Sequence, residues 1–378
     1  MQENYNARQL LSLGAVIALT PALRLFPARA AAIAGRAGWL APLVALPLAL
    51  VWARAMALLL ETMQPGELLP DTLLRLGGRH LGKPALALFA AWCLTYAAFV
   101  LRSGADRLVG TVYPGASPAL FSQLMGLVAL AAALSTPRTL ARMGRMLLPL
   151  LFGVLGLLLF FALLSADWSN LFPISDEDIW PLIKTAPLPL NIAAGSGTAL
   201  CFLAGGLKER RLGFPALAKW SALLCAWLSL LSAAVIGTLG APLTGQLARP
   251  FFVLVRTLVF FRTVERVEAL VVMLWIFPDF LMTALFFWAG QYALRLLCGF
   301  RPDAKMHARL DFSEGRVLIW VFAAAAIVLA LFLAPTPRQL ERWSTVYIPA
   351  ANFTFVFVYL PLLYIVGRKS DAKRRKSM

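Results

Sequence analysis

The sequence predicts an all-α integral membrane protein with ten transmembrane helices, and three observations carry that prediction. Of 378 residues, 60% are hydrophobic and 14% charged, with a mean hydropathy of +0.77; soluble domains run at roughly 45–50% apolar and about 25% charged. The apolar residues fall into windows of about twenty, the length of helix that crosses a bilayer. The basic residues gather in the short loops and the tail between those windows, which is how a membrane protein sets its topology. The net charge of +17 therefore belongs to topology, and no nucleic-acid partner is expected.

The ten segments run 10–33, 39–62, 82–104, 116–135, 146–165, 188–207, 214–239, 265–297, 316–335 and 345–367. Residues 1–367 thus form a single transmembrane domain, and 368–378 form a basic tail that suits anionic lipid. The first run ends near Ala28-Arg29-Ala30, which resembles a signal-peptide cleavage site. Its leader has one basic residue, Arg8, beside Glu3, and its apolar core is interrupted by Pro21 and Arg24, so a retained span is expected. The seventh opens on Phe214-Pro215, proline being tolerated in a first helical turn. The eighth is long enough to tilt or to extend beyond the bilayer. Residues 65–81 read as a polar connector. Residues 244–264 carry Arg249, Arg256 and Arg262 among phenylalanines and valines, and read as an interfacial or re-entrant helix.

Loop charge gives the orientation. With the N-terminus inside, the inner segments and tail hold 21 lysines and arginines and the outer segments 11. The acidic loop Asp167, Asp176, Glu177, Asp178 falls outside. Both termini are therefore expected on the cytoplasmic side.

Two apolar segments look interrupted, at matching places in the two halves. The first contains Thr20-Pro21-Ala22-Leu23-Arg24-Leu25-Phe26-Pro27 and the sixth contains Gly195-Ser196-Gly197. Paired interruptions point to the binding site of a secondary transporter, because unwound backbone at bilayer depth must face protein or a polar cavity. Thr20, Pro21, Ala22, Arg24, Gly195, Ser196 and Gly197 are accordingly the candidate substrate-binding residues. For the second group a close helix–helix contact is the competing reading.

Ten spans with breaks in the first and sixth resemble the LeuT-like inverted repeat of the amino acid–polyamine–organocation transporters. Within that superfamily the chain resembles the spore germination permeases, the B subunits of nutrient germinant receptors. The likeness rests on Arg8-Gln9, Pro27, Gly35-Arg36-Ala37-Gly38-Trp39, Leu81-Gly82-Lys83, Leu101-Arg102, the stretch Phe261 to Trp275 with Glu265-Arg266-Val267-Glu268-Ala269-Leu270, and Pro361 ahead of the basic tail. It implies a 5+5 fold with broken helices 1 and 6, recognition of an amino acid or similar small nutrient, A and C subunits as partners, and the bacterial cell membrane or spore inner membrane as location. The chain departs from the family where glycines usually stand in the first break. Thr20-Pro21-Ala22 and Arg24 occupy those places, and proline removes an amide donor, so carboxylate capture by bare backbone amides is in doubt.

Arg24 and Asp279 are the clearest intramembrane charges, and each needs a partner or an aqueous cavity. Facing each other across the first and eighth spans, they would be coupling or gating residues, with Arg54 as a third; a static structural pair is the bland alternative. Arg54 and Glu61 share a face of the second span, and Glu61 reads as an interface anchor. Glu265 and Glu268 open the eighth span, where the helix dipole favours acids. Arg102 and Asp106 read as a helical salt bridge. Thr20, Thr95, Tyr96, Asn191 and Thr283 would line a polar cavity or bond neighbouring helices.

No enzyme constellation, phosphate-binding loop or cofactor motif is present, so no cofactor is expected. Cys93, Cys201, Cys225 and Cys298 stand singly in apolar sequence and read as buried thiols, and His80 and His307 as solvated loop residues. The expected function is nutrient recognition with an alternating-access response. An ion-coupled amino-acid permease unrelated to spores and a non-transporting membrane scaffold are the alternatives.

Overall fold

Helices account for nearly all of the regular structure. The computed structural model describes residues 5–64, 67–207, 212–258, 268–299, 315–362 and 364–365, with 79–80, 268–270 and 315–316 described by backbone alone. His307, Glu265, Arg266, the rest of 259–267 and the 368–378 tail lie outside the described residues, as do the side chains of His80 and Glu268.

Each predicted segment coincides with a helix. The first is α1 (Ala7–Ala34), and a 3-10 turn at Gly35–Leu40 leads into α2 (Ala41–Glu61). Gly35 has φ 56°, a backbone angle that suits glycine. Then follow α3 (Leu69–Thr111), α4 (Pro118–Ala133) and α5 (Pro137–Leu164), and after the acidic loop the short α6 (Ile179–Thr185) and α7 (Pro187–Cys201). The second half continues with α8 (Phe214–Leu239), α9 (Ala241–Gln246), α10 (Pro250–Thr257), α11 (Glu268–Leu297) and α12 (Gly315–Leu333). The last stretch, Pro337–Leu362, is helical throughout. It comprises α13 (Pro337–Arg342), a π-turn at Trp343–Tyr347, α14 (Ile348–Phe353) and a second π-turn at Thr354–Tyr359. Among the described residues, six helical stretches are long and apolar enough to cross a bilayer, the first being the 55-residue run Ala7–Glu61, which contains the turn at Gly35. The chain is a multi-pass membrane protein.

Several boundaries differ from the sequence reading. Most of the polar connector 65–81 is helical, from Leu69 on, and α3 is two helices joined at a kink at Gly78, whose φ 61° and ψ −162° are not helical. At its other end α3 continues to Thr111, seven residues past the expected limit, since apolar Leu108 and Val109 prolong the helix. The stretch after 244 forms α9 and α10, and Phe251, Phe252, Leu254 and Val255 are buried within the protein rather than in a lipid interface. Cys298 is exposed, while the other three cysteines are buried.

The larger correction concerns the two interruptions. Helical backbone runs through both, from Ala7 to Ala34 and from Pro187 to Cys201. Pro21 and Pro27 sit inside α1, which membrane helices tolerate when neighbours satisfy the freed carbonyls. In α7 the glycines serve contact instead of unwinding. A Cβ on Gly197 would overlap the buried Trp52 indole of α2, and one on Gly195 would lie 3.1 Å from Asn352 Nδ2. The backbone loses helical form only after Cys201, at Phe202–Leu207. There the Tyr5 hydroxyl donates to the Leu203 carbonyl and Tyr5 bridges Leu207, the one β feature among the described residues.

α1 is the hub. It packs on α5, α7, α8, α9 and α11, while α3 lies along α11 and α2 along α8. The Gly197–Trp52 contact gives a stability test. Gly197→Ala should cost about 1–3 kcal/mol through overpacking, read as a lower unfolding midpoint of the detergent-purified protein. Adding Trp52→Phe, which shortens the opposing ring, should restore most of the loss.

Candidate ligand cavity and buried charge cluster

A cavity of about 40 Å³ lies where α1, α3, α7 and the C-terminal helix meet. It brings together Pro21 and Arg24 of the first interruption with Ser196 of the second, and adds Tyr96 and Asn191 from the sequence candidates. Thr20, Ala22, Gly195 and Gly197 are not among its lining residues. Ala22 is fully buried, and the two glycines hold the packing just described.

Arg24 is the charged residue of the lining. Its Nη1 donates to Ser344 Oγ at 2.5 Å, its guanidinium carbon lies 5.1 Å from the Phe99 ring centroid, and its buried Nε has no partner. Ser344 belongs to the π-turn 343–347, an irregularity that often accompanies functional positions. Opposite, a chain of amides closes the wall. Trp92 Nε1 donates to Asn352 Oδ1 at 2.9 Å, Asn352 Nδ2 to Asn191 Oδ1 at 3.1 Å, and Asn191 Nδ2 to the Pro349 carbonyl at 2.9 Å. Gly195 is what lets Asn352 approach α7 so closely.

Since α1 stays helical and Pro21 has no amide, the backbone here offers no cluster of free N–H groups to an anion. The guanidinium of Arg24 takes that place, with a planar donor set matched to a carboxylate. Leu25, Phe99, Ile192 and Ile348 supply the apolar part of the wall. At about 10–15 Å³ per water, the cavity in this conformation admits a few waters, so a ligand requires the helices around it to part.

Asp279 does not pair with Arg24. Its Oδ2 accepts a hydrogen bond from Arg107 Nη2, with side chains only 2% and 3% exposed. Arg107 stands on α3 within the stretch expected to be a loop; the continuation of α3 to Thr111 carries it to Asp279. Arg24 and Thr20 remain within electrostatic reach of Asp279, and Thr20 Oγ1 donates to the Trp275 carbonyl at 3.4 Å. Asp279 Oδ1, Arg107 Nε and Nη1, and Thr283 Oγ1 are buried without partners. Next to Arg107 in the chain, Asp106 lies 4.0 Å from Arg102, the expected i,i+4 pair, and accepts from Arg249 at 3.1 Å. Arg54 and Glu61 are exposed on α2, with the Arg54 guanidinium 5.9 Å from the Phe214 ring. Arg54 therefore stands outside both cavity and cluster. Thr95 is half-buried and also outside the lining.

Arg107, Ser344, Asn352 and Trp92 are the site residues that sequence reading missed. Asn352 had a usable signal, a lone amide inside an apolar segment. Arg107 had the weaker one of apolar Leu108 and Val109 following it.

Because Arg107 and Asp279 are buried together, removing either leaves an uncompensated charge, at a cost of about 3–5 kcal/mol. Arg107→Gln and Asp279→Asn should each lower the unfolding midpoint strongly, and the double variant should be more stable than either single. A charge swap of Arg24 with Asp279 should rescue nothing.

A family model described as "Spore germination protein" matches residues 6–336. No curated protein matches the chain. Among solved structures, the crystal structure of MhsT in complex with L-phenylalanine is similar, with a TM-score of 0.62 at 13% identity, over 97% of this chain and 89% of that one. That likeness gives the fold, a LeuT-like architecture. The hub position of α1, the intramembrane charges and a match over nearly the whole chain converge: this protein belongs to the spore germination permease family.

Proposed function

We propose that this chain is the membrane-embedded nutrient-binding subunit of a germinant receptor, taking an amino acid or similar small carboxylate in the cavity between α1, α3, α7 and the C-terminal helix. The observation that carries this reading is the meeting of Pro21 and Arg24 with Ser196 in one cavity, joining the two segments that sequence symmetry singles out. MhsT, of similar fold, is described in complex with L-phenylalanine, which supports an amino-acid-sized ligand. Arg24 holds the carboxylate. Thr20, Ala22, Gly195 and Gly197 shape the helices around it, and Asp279 with Arg107 anchors α11 to α3. Binding shifts an outward/inward equilibrium by differential affinity for the two states. The reading includes ten spans in two inverted repeats, both termini on the cytoplasmic or spore-core side, the spore inner membrane as location, and A and C subunits as partners.

A second reading, an ion-coupled amino-acid permease, draws on the buried Arg107–Asp279 pair with its unpartnered atoms, since intramembrane acids often serve coupling ions. Reconstitution separates the two: binding without accumulation in liposomes supports the receptor, and accumulation supports the permease.

A panel of amino acids and small carboxylates should contain a compound that raises the unfolding midpoint of the purified protein, by an amount equivalent to about 2.7 kcal/mol at a hundredfold excess over Kd. Arg24→Gln and the cavity-filling Ser196→Phe should each abolish that shift. Persistence of the shift in both variants would place the ligand elsewhere.

A further inference from the structure

The charges around the cavity are unevenly matched. Arg24 and Arg107 lie within electrostatic reach of each other and of Asp106 and Asp279, and Asp106 is also engaged by Arg102 and Arg249. Both carboxylates are already engaged, Asp279 by Arg107 and Asp106 by Arg102 and Arg249. Arg24 is left facing the cavity with a serine oxygen and an aromatic face as its contacts, and with an unpartnered Nε. Arginine stays protonated in such places, so Arg24, within electrostatic reach of Asp279 and Asp106 but hydrogen-bonded to neither, gives the cavity wall a positive charge.

The acceptors tell the same story. Among the described residues no carboxylate lines the cavity. The Oδ1 atoms of Asn352 and Asn191 are turned into the amide chain, each already accepting a hydrogen bond. Helical backbone through Thr20–Arg24 and Gly195–Gly197 presents no unwound carbonyls. An ammonium group placed here meets the Arg24 guanidinium and finds no carboxylate among the described lining residues. Burying a charge without a counter-charge is costly, and a like charge in the wall is an effective way to reject a competitor.

We infer that the cavity selects a ligand of net charge −1, a small carboxylate with an apolar tail and no ammonium, over the zwitterionic amino acid with the same side chain. This rests on the reading of the cavity as the nutrient site and narrows it. The carboxylate forms the paired hydrogen bonds of a guanidinium fork with Arg24, displacing the Ser344 contact, and the tail lies against Phe99, Ile192 and Ile348.

Matched pairs test it on the full-length protein in nanodiscs, with calorimetric binding as the readout: propanoate against alanine, 4-methylpentanoate against leucine, and 3-phenylpropanoate against phenylalanine. At least one carboxylate should bind about tenfold or more tightly than its amino acid, the fold-change expected for one unpaired buried polar group. Its affinity should drop at least tenfold in Arg24→Gln and recover in part in Arg24→Lys. An amino acid that binds as tightly as its deaminated partner, and is lost in Ser196→Phe, overturns the charge selection while leaving the cavity as the nutrient site. Binding that survives Ser196→Phe, or no binding by any member of the three pairs, overturns both. Should Arg24→Gln fail to fold, the wild-type comparison decides alone.

Discussion

Lipid cannot solvate a charge, and much of this architecture follows from where the chain puts its buried ones. Asp279 lies near the middle of α11, beside Pro278, with 1% of its surface exposed. Hydrocarbon offers such a group no counter-charge, so the protein must bring one. It does so by extending α3 far enough to carry Arg107 to it. That contact sets how α3 lies along α11, the most extensive helix pair of the fold. A small residue is needed to let it form: a Cβ on Gly104 would come within 2.9 Å of Asp279 Oδ2. The pair leaves Arg24 without a carboxylate of its own, and that shortage gives the neighbouring cavity its electrostatic character.

Glycine has a different job here from the one its sequence position advertises. Gly195 and Gly197 sit in regular helix, and their missing side chains admit Asn352 and Trp52. Close approach of this kind is a common use of small residues between membrane helices. It also builds the site indirectly, since the amide chain from Trp92 through Asn352 to Asn191 exists only because α14 reaches α7 at Gly195. Backbone at the two interruptions is packed, and recognition passes to side chains.

That the apolar segments are helical was legible in hydropathy alone, and Pro21 and Arg24 of the first and Ser196 of the sixth lie at one cavity. The i,i+4 pair of Arg102 and Asp106 could also be read directly. Partnership across helices could not. Arg24 and Asp279 are two charges in two apolar segments, and nothing in a linear sequence says that a third, Arg107, lies closer. Its assignment turned on a helix end, the feature least fixed by local sequence. The contribution of Ser344 and Asn352 was hidden for another reason. They lie in the C-terminal segment, outside both interruptions, and reach the cavity through tertiary packing, Ser344 from a π-turn and Asn352 from α14.

The contact between Tyr5 and the end of α7 reaches further than its size suggests. Burial pushes the Tyr5 phenol well above its ordinary pKa, so the hydroxyl remains a donor to the Leu203 carbonyl at any pH a cell experiences. That carbonyl belongs to the turn closing the same helix that presents Ser196 to the cavity. Residue 5 is thereby moored to the end of the helix that presents Ser196. Motion of α7 that widens the cavity has to drag residue 5 along or let go of it. Tyr5 thus ties the entry to α1 to the end of α7, so the two segments that meet at the cavity are also joined at a second point, away from it.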